Sequence, residues 1–322
     1  MVLPAYADSA RRLPKMHGGG PHARASVRRV KQVIVGRPPD LTSPEPRDGH
    51  EALAWLSDGN DRFASAAEDR SIADEAPEFA GEFGIGAVLS RPPEPRPFGI
   101  VLGCSDAQVP VELVFGRASN DLFVVRVAGN TLGGETIGSI DYAVDYFGTL
   151  RTVVVLGHTL CGTVATAVEA FLKPSRYLEL ATSLPLRSLV DRVEVSARVA
   201  AMALQREHGG DVTRMPAYGW ALLDLAVYLN AAYAAFSIRA GLSEAVRSQL
   251  TVEYGVYDVA TRRVSAGADT AAAFAAPPHG AEGFRALARR LASAPHIVEW
   301  LHGRTWPAGV ESIGGGRYES QR

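Results

Sequence analysis

Three residues in this chain can hold a metal ion together. Cys104 and Cys161 are its only cysteines, and His158 stands three residues before Cys161. Each follows a short apolar run: Phe98 to Gly103 reads FGIVLG and Thr152 to Gly157 reads TVVVLG. Such runs suit strands buried on both faces of a parallel sheet. In open α/β sheets, sites form beyond the carboxyl ends of strands. Two strand ends therefore bring Cys104 and the His158/Cys161 pair to one point. A His-x-x-Cys spacing at the start of a helix sends both side chains the same way. Thiolate plus imidazole is a zinc donor set, and three protein ligands leave one tetrahedral position for water, whose pKa then falls towards about 7. Two other readings of the same residues stand beside this one. The site is a structural one closed by a fourth ligand, or Cys104 is a nucleophile paired with His158. A Cys-x₅-Arg phosphate loop is excluded by Pro110. Gly129, Gly133, Gly134 and Gly138 lack dinucleotide-binding spacing, and no Walker A lysine follows them.

The elements that must position these residues are readable around them. Leu122 to Val127 (LFVVRV) is a further buried run, and Thr251 to Val259 (TVEYGVYDV) reads as a strand, with Val264 starting a return strand. Glu135 to Phe147 places Ile137, Ile140, Ala143, Val144 and Phe147 at helical spacing. Leu186 to Glu207 and Tyr218 to Ala240 read as two longer helices. Strands alternating with helices predict an α/β fold: a mostly parallel β-sheet flanked by helices. Upstream, Ala52, Leu53, Leu56, Phe63 and Ala64 form one helical face, interrupted at Gly59-Asn60.

Residues 1–48 carry a glycine run, prolines and several arginines without a persistent period, and read as a flexible basic arm. Lys31 to Gly36 is a weak strand signal. Residues 67–96 are acidic and then proline-rich, a loop pattern. Residues 49–265 form the main domain. Residues 266–322 begin as an Ala/Gly/Pro-rich linker and continue as a helical extension over Gly283 to Gly303, broken near Pro295.

The chain has 322 residues, 47% of them hydrophobic, and a net charge of −2. No basic helix or aromatic-basic platform predicts nucleic-acid binding. No run of 18 apolar residues predicts a membrane span, and the N-terminus has no apolar core of a secretory signal. Two cysteines make no disulfide framework, which points to a reducing, cytoplasmic setting.

The motifs as a set resemble those of β-class carbonic anhydrases. Cys-Ser-Asp-Ala-Gln-Val at 104–109 is similar to the family's Cys-x-Asp-x-Arg-Val, and Gly157 to Gly162 to its Gly-His-x-x-Cys-Gly. Phe123 to Asn130, Gly138 to Val144, Asp58 to Phe63 and Gly255 to Asp258 resemble further family segments, so the likeness spans roughly 50–265. It implies a β-carbonic-anhydrase-like sheet and zinc ligands Cys104, His158 and Cys161. It also implies reversible hydration of carbon dioxide to bicarbonate by zinc-bound hydroxide, in a homodimer or higher homo-oligomer with the zinc sites at the interface. Phe123, Ala128, Tyr142 and Gly162 carry over as the apolar pocket. One position departs. The family pairs its aspartate with an arginine two residues on, and here Asp106 is followed by Gln108. A neutral amide cannot form the bidentate, charge-assisted fork that holds a carboxylate off the metal. Asp106 then either stays functional under a weak hold from Gln108 or swings onto zinc as a fourth ligand, closing the site. The second outcome would make a catalytically silent zinc protein with a scaffold or binding role. A third is a changed substrate such as carbonyl sulfide or carbon disulfide. Near positions 117–118, where some members place a glutamine, this chain has Arg117-Ala118.

Overall fold

The computed structural model describes residues 45–68, 95–117, 120–267 and 272–302. The basic arm up to residue 44, the weak strand signal at 31–36 and most of the 67–96 loop lie outside the described residues, as does 303–322.

The chain enters through α1 (Gly49–Glu68), which runs unbroken through Gly59-Asn60. The expected interruption does not occur, and the reason is packing. A Cβ at Gly59 would lie 1.8 Å from the Phe115 carbonyl oxygen, so only glycine lets the helix approach that loop. Asn60 is buried, and its amide donates to the Val114 and Arg262 carbonyls at 3.1 and 3.0 Å while its oxygen accepts from Val264 N–H at 2.8 Å. Those three bonds replace the water that a buried carboxamide would otherwise need.

β1 (Gly99–Gly103) leads through α2 (Val111–Val114) to β2 (Leu122–Arg126), and α3 (Gly134–Tyr146) returns the chain to β3 (Thr152–His158). α4 (Gly162–Leu172), α5 (Pro174–Leu180), α6 (Leu184–His208) and α7 (Tyr218–Gly241) follow. After α8 (Glu244–Arg247) come β4 (Thr251–Tyr257), the return strand β5 (Val264–Ser265), α9 (Gly280–Ala292) and α10 (Pro295–Leu301). The sheet order is β2-β1-β3-β4-β5, parallel except for antiparallel β5. Among the described residues each expected strand and long helix is present within a few residues of its sequence bounds. The break near Pro295 is also present, because proline starts α10 where its missing N–H costs nothing.

β1 and β3 are buried along their whole length. Their side chains alternate between two packed layers. Ile100, Leu102, Val153 and Val155 face α4, α6, α7 and the C-terminal helices. Val101, Val154 and Leu156 face α1, α2 and Tyr257. The segment expected as a linker and extension is part of the same interior. Ala275 bridges Tyr254 on β4, and Leu287, Leu291, Ile297 and Trp300 join the cluster that holds Ile100 and Leu102. Among the described residues one helix, α7, is long and apolar enough to cross a membrane, and 78% of its apolar window is buried here.

Candidate metal centre

The chain leaves β1 for one neighbour, β2, and returns through α3 to the other, β3. The strand order therefore reverses between β1 and β3, and a crevice opens at their carboxyl ends. Cys104 follows β1 directly. His158 is the last residue of β3, and Cys161 immediately precedes α4. The loop between them turns on Leu160, whose φ of +63° lies in the left-handed region. For a branched side chain this costs on the order of 1–2 kcal/mol, and the turn brings Cys161 back beside His158. Thr159 pins the loop to β4: its N–H donates to Tyr257 O at 2.9 Å, and its hydroxyl accepts from Val259 N–H at 3.1 Å.

The ligand atoms of Cys104, His158 and Cys161 all lie within 4.8 Å of one another, and all three residues are buried. The two sulfurs are 3.9 Å apart. Two zinc–sulfur bonds of about 2.3 Å at the tetrahedral angle span about 3.8 Å. His158 Nδ1 lies 3.0 Å from Thr159 O, a contact that puts the ring proton on Nδ1 and leaves Nε2 with its lone pair. That Nε2 is buried with no hydrogen-bond partner among the described residues. An orphaned imidazole nitrogen beside two thiols is what a metal ligand looks like before the cation is counted. The residues present therefore fit a zinc ion.

Charge in the pair is uneven. Cys104 is pushed down to about 4, chiefly by the hydrogen bond from Cys161 and further by His158, against the opposing effect of burial. Cys161 is pushed up, first by its bond to the Cys104 sulfur and then by burial, while the N–H groups of Val164 and Thr163 favour its thiolate. A bound metal ion would take both sulfurs as thiolates.

Asp106 and Gln108 sit on the loop after Cys104, and both reach solvent. The Asp106 carboxylate accepts from the backbone N–H of Gln108 at 2.9 Å. The Gln108 side chain has no part in that bond. Asp106 is not among the clustered ligand atoms. Arg126, at the end of β2, donates from Nε to Cys104 O at 3.0 Å and from Nη2 to Asp106 O, so it fixes the loop backbone and leaves the carboxylate alone. Arg117 turns away from the centre. Its guanidinium lies 5.6 and 5.7 Å from the Trp55 and Phe98 rings and donates to Trp55 O.

The four pocket residues divide. Gly162 opens α4 beside Cys161, and Ala128 adjoins Gly129, whose N–H donates to the Cys104 sulfur at 3.3 Å. Phe123 and Tyr142 lie elsewhere. Phe123 pairs in register with Ile100, four residues before Cys104, or about 13 Å along the strand. Its ring is 6.3 Å from Tyr142 and 5.8 Å from Phe147. Tyr142 is 49% exposed and stacks on Tyr146, which is 71% exposed. Sequence reasoning missed Gly129 as a sulfur donor and Asn230, whose amide holds the Gly129 carbonyl. A carboxamide in the middle of the mostly apolar run of 218–240 was the available signal.

Fold and site together define an α/β protein with a Cys₂His group able to hold a metal ion at the strand-order switch point. Residues 99–215 match the family model described as carbonic anhydrase. Carbonic anhydrase 2 of Mycobacterium tuberculosis strain H37Rv is 34% identical over 119 residues, 36% of this chain and 52% of that protein. The carbonic anhydrase of Mycolicibacterium smegmatis is 36% identical over 125 residues, 38% of this chain and 55% of that protein. The chain thus spans about half the length of the curated relatives it matches. Among solved structures, that of the β-carbonic anhydrase CcaA covers 66% of this chain and 94% of its own, at 18% identity and a TM-score of 0.42. Residues 99–215 thus resemble the carbonic anhydrase family, and the rest of the chain lies outside the matched segment.

Proposed function

We propose that this protein is a zinc-dependent carbonic anhydrase that interconverts carbon dioxide and bicarbonate. The observation that carries the reading is the orphaned His158 Nε2, buried within 4.8 Å of two thiol sulfurs in a family-matched segment. Cys104, His158 and Cys161 would hold the ion. Bound zinc supplies a Lewis acid that makes coordinated water acidic near neutral pH. The remaining work falls to the chain. Thr159 O fixes the His158 tautomer. Gln108 N–H orients the Asp106 carboxylate, which reaches solvent and so can accept a proton and pass it on. Ala128 and Gly162 give small surfaces next to the ligands, which suits a small apolar substrate.

Phe123 lies four residues along the sheet from the Cys104 strand end, Tyr142 packs against it from α3, and Tyr142 and Tyr146 expose aromatic surface. This supports a homodimer in which each copy lends these rings to its partner's pocket. Gel filtration with light scattering tests the dimer; a monomer at micromolar concentration refutes it.

A second reading, a zinc protein without turnover, is favoured by one observation: among the described residues no guanidinium holds the Asp106 carboxylate, which accepts from the Gln108 backbone N–H. The two readings separate by experiment. Metal analysis of purified protein is expected to give one zinc per chain, and zinc-free, fully folded protein refutes both. Stopped-flow hydration of carbon dioxide by the zinc-loaded protein is expected to be measurable and to rise with pH. Its absence at high pH leaves the silent zinc protein.

A further inference from the structure

α7 is an almost wholly apolar helix, and Asn230 stands in its middle, 5% exposed. A carboxamide buried there needs a partner. Asn230 Nδ2 donates to the Gly129 carbonyl at 2.9 Å. The same peptide unit is held at its other end, because Asn130 N–H donates to Val127 O at 2.9 Å. Gly129 itself is left-handed, with φ +67°. A Cβ there would lie 2.9 Å from Thr163 Cγ2, on α4, which begins just after Cys161. Held by α7 on one side and pressed on α4 on the other, Gly129 directs its N–H at Cys104 Sγ, 3.3 Å away.

We propose that Asn230 is a positioning residue of the metal centre: by gripping the Gly129 carbonyl it aims the Gly129 N–H at the Cys104 sulfur and so sets how much charge that sulfur donates. The proposal rests on the zinc reading above. Two thiolates donate more negative charge than imidazoles, and an N–H···S bond withdraws part of it. Asn230 thereby preserves acidity at the centre without touching any ligand.

The test is spectroscopic. Wild type and Asn230→Leu are loaded with cobalt(II), and the thiolate-to-metal charge-transfer band is recorded beside zinc affinity by chelator competition. The band is expected to move to longer wavelength in the variant, and zinc binding to weaken about tenfold or more. Leu204→Ala, at a fully buried α6 position remote from Gly129 in sequence, serves as a variant that destabilises without moving the band. A folded Asn230→Leu with unchanged band and unchanged zinc affinity overturns the proposal. If that variant does not fold, wild type loaded with a spin-active cadmium isotope decides. A scalar coupling between the Gly129 amide proton and the metal, carried through Cys104 Sγ, is expected, and its absence overturns the proposal. Wild type that takes up neither cobalt nor zinc is a different failure: it overturns the zinc reading, and this proposal falls with it.

Discussion

Gln108 decides how firmly Asp106 is held. Its backbone N–H already donates to the carboxylate, and that bond survives any side-chain replacement. Gln108→Arg therefore adds a guanidinium without removing the existing donor. A charge-assisted bond contributes about 1.5–3 kcal/mol against about 0.5–1.5 for a neutral one. If the carboxylate's position limits turnover, Gln108→Arg is expected to raise the stopped-flow rate about fivefold to tenfold. No gain in a folded, zinc-loaded variant shows that the tether is not limiting. Asn60 is a second residue with a defined burden. It closes three hydrogen bonds that tie α1 to the end of α2, to the loop before β5 and to β5. Asn60→Ala leaves buried backbone groups unpaired and is expected to cost about 2–4 kcal/mol in urea unfolding. A loss under about 1 kcal/mol would mean that water replaces the amide.

Among the elements, β4 carries the least comfortable charge. Glu253 is half-buried between two apolar neighbours on the strand. Burial pushes its carboxyl up, with His50 pulling the other way. The charged form is thus the penalised one. The penalty is absent below the unfolded carboxyl's range and appears as pH rises through the unfolded and then the folded value. Glu253→Gln is expected to raise Tm at neutral pH and to leave it unchanged well below about pH 4. Equal gains at both pH values, read by differential scanning calorimetry, would assign the effect to packing instead. The strand also explains the element after it: Tyr254 bonds Ala275 in both directions, so the Ala/Gly/Pro-rich segment is led along the sheet edge to α9.

At the scale of the whole molecule, the C-terminal helices belong to the main core. Leu291 is fully buried in the cluster that contains Ile100 and Leu102. His208 Nε2 lies 2.9 Å from Ala292 O, and Trp300 stacks on Trp220 at 6.1 Å. Leu291→Ala is expected to cost about 2–5 kcal/mol. The loss should fall on the global transition, with circular dichroism and tryptophan fluorescence unfolding together. Separate transitions would show that α9 and α10 melt alone.

The metal group was legible because its chemistry is carried by residue type and spacing. Two cysteines and a histidine, each at the end of an apolar run, leave few other readings, and the continuous runs themselves mark strands buried on both faces. Gly59-Asn60 was misread as an interruption because its reason, the Phe115 carbonyl against Gly59, is 56 residues away in sequence and local propensity cannot register it. The same holds for Leu160. Nothing in its type announces a left-handed backbone, which is tolerated because β4 holds the loop from outside. Asn230 could be seen as a polar residue in an apolar helix, but its partner is set by how α7 crosses the sheet. Phe123 and Tyr142 could be matched by motif, yet strand register puts Phe123 about four residues short of the metal group, and Tyr142 on α3 packs against its ring. The sequence by itself determined which atoms can bind a metal, since donor chemistry is a property of side chains. Only the tertiary structure decided which backbone N–H meets the Cys104 sulfur and which aromatic rings stand apart from the site, since those depend on elements distant in the chain.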